Sequence, residues 1–177
     1  GINLNSAIET SDWAIAPDMV GIAVNGAGNQ VTVQGASSLT GRSASDGYME
    51  FASITGGGLL ILDDTSTLNI ATKNNGSNAN IFGTQSILVE DANSKFINKG
   101  DVKVTATGGS FNSLAFAKKG SMIENSGSIT MDATPITVSN GYIVDTLAGI
   151  GSGTKIINSG DINVIHNKSA NQTRYDF

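Results

Sequence analysis

Apolar residues along this chain fall in runs of four or five, rich in β-branched types, and each run is bounded by Gly, Asn, Asp or Ser. Runs of that length with that punctuation predict strands and are too short for helices. One stretch is written three times. Phe96-Ile97-Asn98-Lys99-Gly100-Asp101-Val102-Lys103-Val104 returns as Ile123-Glu124-Asn125-Ser126-Gly127-Ser128-Ile129-Thr130-Met131, and again as Ile156-Ile157-Asn158-Ser159-Gly160-Asp161-Ile162-Asn163-Val164. In each copy an apolar residue leads into Asn-x-Gly and an apolar-polar-apolar alternation follows, which predicts strand, tight turn, strand. A unit repeated within one chain predicts stacked units.

The repeat extends upstream of that motif. Phe96 and Ile123 are 27 residues apart, and Ile87-Leu88-Val89-Glu90-Asp91 precedes Leu114-Ala115-Phe116-Ala117-Lys118 by the same 27. Asn125 and Asn158 are 33 apart, with the surplus in the Gly/Thr/Ser-rich stretch before Ile156, as expected of an insertion in a loop. Two earlier copies follow from spacing alone. Ile22-Ala23-Val24-Asn25-Gly26 leads to Val31-Thr32-Val33, and Leu59-Leu60-Ile61-Leu62-Asp63-Asp64 leads to Leu68-Asn69-Ile70, with Ile61 again 27 residues before Leu88.

A unit this small cannot bury both of its sides. It can bury one by coiling around an apolar interior while its backbone pairs with the coils above and below, equivalent residues stacking about 4.8 Å apart. The expectation is an all-β fold: a right-handed single-stranded parallel β-helix (solenoid) of about five to six turns. Val31 and Val33, Leu68 and Ile70, Val102 and Val104, Ile129 and Met131, and Ile162 and Val164 are expected to point inward as aliphatic ladders. Asn98, Asn125 and Asn158, with Gly100, Gly127 and Gly160, are expected to form a structural turn ladder at one bend, because Asn tolerates the left-handed turn conformation and its amide can bond to a stacked neighbour. A β-sandwich or barrel would also have short strands, but would not require neighbouring units to share a pattern.

The chain divides into an N-terminal capping segment, residues 1–20, with Trp13 as a lid over the end of the stack or an aromatic platform for a sugar ring; a β-helix, 21–165; and a polar tail, 166–177, frayed or leading into further sequence. Opening on Gly1, the chain is expected to be a mature or excised piece of something larger. Residues 35–53 and 73–85 break the rhythm, each a third strand plus loop or a lateral excursion. Gly56-Gly57-Gly58 and Gly108-Gly109-Ser110 mark turns.

Composition narrows the function. A formal charge of −5 and only 14% charged residues give no electrostatic basis for binding nucleic acid or anionic lipid. With 39% hydrophobic residues at strand period, the chain is expected to fold rather than stay disordered. There is no Cys and one His, His166, which excludes disulfides and weighs against zinc sites and His-based triads. No secretory signal opens the chain and no run of 18 apolar residues occurs. Gly151-Ser152-Gly153-Thr154-Lys155 lacks phosphate-loop spacing. The carboxylates Asp63, Asp64, Glu90 and Asp91 fall on adjacent turns if the 27-residue offset holds, and form a candidate cation cluster or acid/base pair on a sugar. The row ends at Ala117-Lys118, and the cations Arg42, Lys73, Lys118, Lys119 and Arg174 do not recur in register with the acids. The expectation is therefore a solvated turn, no catalytic residue, no resident metal and no cofactor.

The three motif copies, 96–104, 123–131 and 156–164, resemble the passenger domains of bacterial type V autotransporters, and the Ser/Thr/Asn/Gly-rich, cysteine-free surface agrees. The resemblance covers about residues 21–164. It implies a bacterial cell-surface or extracellular β-helical stalk displayed from the outer membrane, with the outer-membrane barrel elsewhere in a full-length chain. It also implies an adhesin role in virulence, aggregation or biofilm formation, whose partner is a second copy or a host-surface glycan or matrix protein. No GDSGS-like protease motif or GDS lipase block is present, so the enzymatic branches of that family are not expected. A β-helical polysaccharide-acting enzyme or tailspike-like module, and a passive stalk, are the alternatives.

Overall fold

The computed structural model describes residues 2–5, 19–42, 49–73, 85–107, 113–132 and 145–165. All regular structure among them is strand, and every strand pairing is parallel. After a short β1 (Asn3–Asn5), strands come in threes. The first coil is β2 (Met19–Asn25), β3 (Gln30–Val33) and β4 (Ala36–Arg42); the second is β5 (Met49–Thr55), β6 (Leu59–Leu62) and β7 (Thr67–Lys73). The third is β8 (Gln85–Glu90), β9 (Lys95–Asn98) and β10 (Asp101–Thr107); the fourth is β11 (Ser113–Lys118), β12 (Met122–Asn125) and β13 (Ser128–Asp132); the fifth is β14 (Asp145–Ile150), β15 (Lys155–Asn158) and β16 (Asp161–Ile165). Corresponding strands stack into three sheets: a first face of β2, β5, β8, β11 and β14, a second of β3, β6, β9, β12 and β15, and a third of β1, β4, β7, β10, β13 and β16. The chain is a parallel β-solenoid, and backbone groups unpaired within one coil are satisfied by the next.

Inward columns fill the interior. On the third face Ser37, Leu68, Val102, Ile129 and Ile162 form one column, and Leu39, Ile70, Val104, Met131 and Val164 the other. On the second face Val31, Leu60, Phe96, Ile123 and Ile156 stack. Leu60, Phe96 and Ile123 are fully buried, and each such side chain is worth about 1.5–3 kcal/mol. The columns open at the fifth coil, where Ile156 is 41% and Ile162 39% exposed. Among the described residues no strand pairs with the far edges of β14, β15 and β16.

The phase of the first two coils differs from the sequence expectation. Val31 and Val33 stack on Leu60 and Leu62, not on Leu68 and Ile70, whose partners below are Ser37 and Leu39. Ile61 lies under Ile97 rather than Leu88. Residues 35–53 are thus largely β4 and the start of β5, the third strand of one coil and the first of the next. Between the third and fourth coils β9 and β12 keep the 27-residue offset, but β8 and β11 run at 28, pairing Ile87 with Ala115 and Glu90 with Lys118. The slip arises because the turn from first to second face has four residues at 91–94 and three at 119–121. Offsetting a strand by one residue exchanges its inner and outer positions. The 33-residue offset is present at Asn125 and Asn158, and it is already 32 at Ser113 and Asp145, so most of the surplus lies in 133–144, outside the described residues. Trp13, 74–84, Gly108-Gly109-Ser110 and 166–177, with His166 and Arg174, are also outside them.

Candidate interaction surfaces

The Asn-x-Gly motif forms the corner between second and third faces. Asn98, Asn125 and Asn158 end their strands with side chains on the inward column; Asn98 and Asn125 are fully buried. Asn98 Nδ2 donates to Asn125 Oδ1 at 2.7 Å, and Asn125 Nδ2 to Asn158 Oδ1 at 2.7 Å. Each amide also donates to the carbonyl two residues on, Gly100, Gly127 or Gly160. The Asn98 carbonyl accepts from the Ser126 and Gly127 amides, and the Asn125 carbonyl from those of Ser159 and Gly160. The side-chain ladder therefore runs one way, each Asn donating to the next coil, while the backbone amides of that next coil donate back. Its first rung has an unpartnered buried oxygen, Asn98 Oδ1, because the stacked residue below is Leu62.

The left-handed turn expected at these asparagines is elsewhere. Positive φ among non-glycines occurs at Asp91, Asn93 and Lys119, all at the corner between first and second faces, where Gly56 and Gly57 also have positive φ. Gly100, Gly127 and Gly160 are not in that conformation and are required for a different reason. A Cβ on Gly127 would overlap the Gly100 carbonyl oxygen, and one on Gly160 the Gly127 carbonyl oxygen. Stacked backbones at this corner pass too close for any side chain.

The candidate cation cluster does not assemble. Asp63 and Asp64 follow β6 at the second-to-third corner, whereas Glu90 and Asp91 lie at the first-to-second corner, one-third of a coil away. The 27-residue offset that aligned them does not hold between the second and third coils, where Ala52 pairs with Ile87, 35 residues on. Asp63, Glu90 and Asp91 have partners of their own instead. Asp63 accepts from the Thr65 amide and hydroxyl and from Gln34 Nε2, bonds that lower its pKa, Thr65 first. Glu90 pairs with Lys119 and, at 3.1 Å, with Lys118; the hydrogen bond from Lys119 leads in holding its carboxyl below the usual value. Asp91 Oδ2 accepts from the Gly56 amide. Among the described residues no three His, Asp or Glu side chains converge as a metal site.

The outer faces differ in chemistry. On the third face the described outward positions include Asn69, Lys103, Thr130 and Asn163 in one column and Thr67, Asp101, Ser128 and Asp161 in another, with Ser128 donating to Asp101 at 2.7 Å. Those two columns are polar; a third outward column, Ala71, Thr105, Asp132 and Ile165, ends on Ile165, which is 41% exposed. On the second face one outward column is Gln30, Leu59, Lys95, Met122 and Lys155, and the other Thr32, Ile61, Ile97, Glu124 and Ile157. Half of those positions are large and apolar, and Ile157 is 44% exposed. Strand alternation calls for polar residues there, so the doublets Leu59-Leu60, Phe96-Ile97 and Ile156-Ile157 were the sequence signal for this surface; reading them only as strand-forming runs overlooked it.

Fold and surface together define a single-chain parallel β-solenoid with chemically distinct flat faces. No family model matches the chain, and no solved structure matches it. It is 30% identical over 172 residues to BigA of Salmonella typhimurium, a protein named as a proposed surface-exposed virulence protein. The aligned region takes in 96% of this chain but only 8% of the length of that relative.

Proposed function

We propose that this solenoid is a segment of a bacterial cell-surface adhesin of autotransporter type, a non-enzymatic passenger region that acts by self-association or by attachment to host glycan or matrix protein. The observation that carries the reading is the similarity to BigA over nearly the whole chain. The surface is consistent with it. Stacked coils present the same kind of residue at regular spacing, so a weak contact in one coil is repeated in the next and contacts sum along the stack. Display from an outer-membrane barrel belongs to the same proposal and rests on the resemblance of the repeats to autotransporter passenger domains.

Coupling the protein to beads at high density tests the adhesive role. Adhesion predicts clumping of the beads, or their retention on immobilised matrix proteins or glycans. Beads that stay dispersed and are retained on none of those surfaces would favour a passive stalk. Incubation with uronate polymers, followed by assay for new reducing or unsaturated ends, tests the enzymatic alternative; none are expected.

A further inference from the structure

We propose that the outer side of the second face is where two copies of this chain pair, side by side and pointing the same way, about a two-fold axis parallel to the stack. The proposal rests on the self-association arm of the adhesin reading and names its surface.

Leu59, Ile61, Ile97, Met122 and Ile157 make half of this side's outward positions apolar, whereas the outward positions of the third face are mostly polar. Accessible apolar side chains gathered on one side mark interaction sites, and isologous two-fold pairing is the commonest arrangement for like chains. Charge selects the orientation. An axis parallel to the stack keeps each coil level with its counterpart and reverses the strands, so the column of Leu59, Lys95, Met122 and Lys155 faces the other copy's column of Ile61, Ile97, Glu124 and Ile157. Glu124 then faces Met122 and lies in height between Lys95 and Lys155, about 4.8 Å from the level of each, with a cation on either side. No ion pair engages Glu124 within its own chain among the described residues. An axis along the strands through β9 would instead set Lys95 against Lys95 and Glu124 against Ile61, opposing like charges and leaving Glu124 with no cation in the facing column.

Sedimentation velocity over a wide concentration range tests the pairing, with far-UV melts confirming that variants fold; all the substitutions are on outward positions. Wild type is expected to form a reversible dimer. Ile97→Lys, which faces Lys95, is expected to abolish it, and Glu124→Lys to raise the dissociation constant at least about tenfold. Because the chain has no cysteine, Lys95→Cys mixed with Ile97→Cys should cross-link through a short bis-thiol reagent more efficiently than Lys95→Cys with itself. Self-association unaffected by Ile97→Lys and Glu124→Lys would overturn the surface and leave homotypic adhesion standing. Preferential Lys95→Cys self-cross-linking would overturn the orientation. A wild-type monomer at every concentration would overturn both the surface and the homotypic arm, leaving attachment to host molecules.

Discussion

The corner between second and third faces is built in two ways within one molecule. In the first two coils the inward position at the end of the strand is Val33 and then Leu62; in the last three it is Asn98, Asn125 and Asn158, in the same column. The aliphatic version turns through Gly35, with φ of +69° and nothing within 4 Å of a Cβ position, or through the longer run Asp63-Asp64-Thr65-Ser66. The Asn version turns in two residues and stacks its backbones closely enough to exclude every residue but glycine. An inward column of a solenoid therefore does not have to be apolar. An amide fits wherever its donors and acceptors are matched by the coils on either side, and a tight corner provides those matches.

Disturbance of the shared apolar interior should cost most, whichever corner is nearby. Ile129→Asp places an unpaired carboxylate at a position 1% exposed and is expected to destabilise by about 5 kcal/mol or more, unfolding much of the stack. A melting temperature unchanged from wild type would remove Ile129 from the core. The corners themselves separate at their glycines. Gly127→Ala drives a Cβ into the Gly100 backbone, which is held by stacking and cannot move aside, and should cost about 3 kcal/mol. Gly35→Ala has open space and bears only the left-handed strain, about 1 kcal/mol. Equal losses in urea titrations of the two variants would erase the distinction between the corners.

Asn125→Leu tests the middle of the ladder. It removes the acceptor of Asn98 Nδ2 and the donor to Asn158 Oδ1 together, and the expected cost is about 2 kcal/mol, since the Asn98 proton left unsatisfied in a buried site costs about 1–3 kcal/mol, while the exposed Asn158 oxygen turns to solvent. Acidification should have a smaller effect at the other corner. Glu90 has a folded-state pKa below its ordinary 4.5, with Lys119 the leading cause. Its contribution is therefore complete above about pH 4.5 and is lost as pH falls through the lower folded value. Thermal melts from pH 7 to 3 should show Glu90→Gln with a shallower acid slope than wild type; parallel slopes would mean that its ion pairs add nothing.

Half of this comparison was legible before any coordinates. Phe96, Ile123 and Ile156 repeat with the same corner attached, so the strand-corner-strand unit and the inward columns of the last three coils could be read directly. The first two coils were not, because Gly35 and the Asp63–Ser66 corner lack the Asn-x-Gly mark and β4 begins its inward column with Ser37, a polar residue in a core position. Spacing alone then aligned Val31 with Leu68 across two different faces. Turn lengths of three and four residues have nearly the same sequence signature, so the one-residue slip that sets Glu90 beside Lys118 rather than Ala117 was hidden as well. The motif showed where the corner lies but not why it needs Gly, since a close backbone approach between coils leaves no local trace.

The bottom of the Asn ladder gives the finest test. Asn98 already has one unpartnered oxygen, facing Leu62. Asn98→Leu removes that oxygen and extends the aliphatic column by one coil; in exchange Asn125 Oδ1 loses its donor and becomes the new unpartnered end. The number of buried orphan oxygens is unchanged. What is lost is the 2.7 Å amide bond and the bond to the Gly100 carbonyl, and what is gained is a buried leucine, so the two nearly cancel and the expected change is within about 1 kcal/mol. A ladder whose cost sits at its end rather than in each rung requires Asn98→Leu to be much milder than Asn125→Leu. If chemical denaturation shows both equally damaging, each asparagine acts through its own corner and the column is not a cooperative unit.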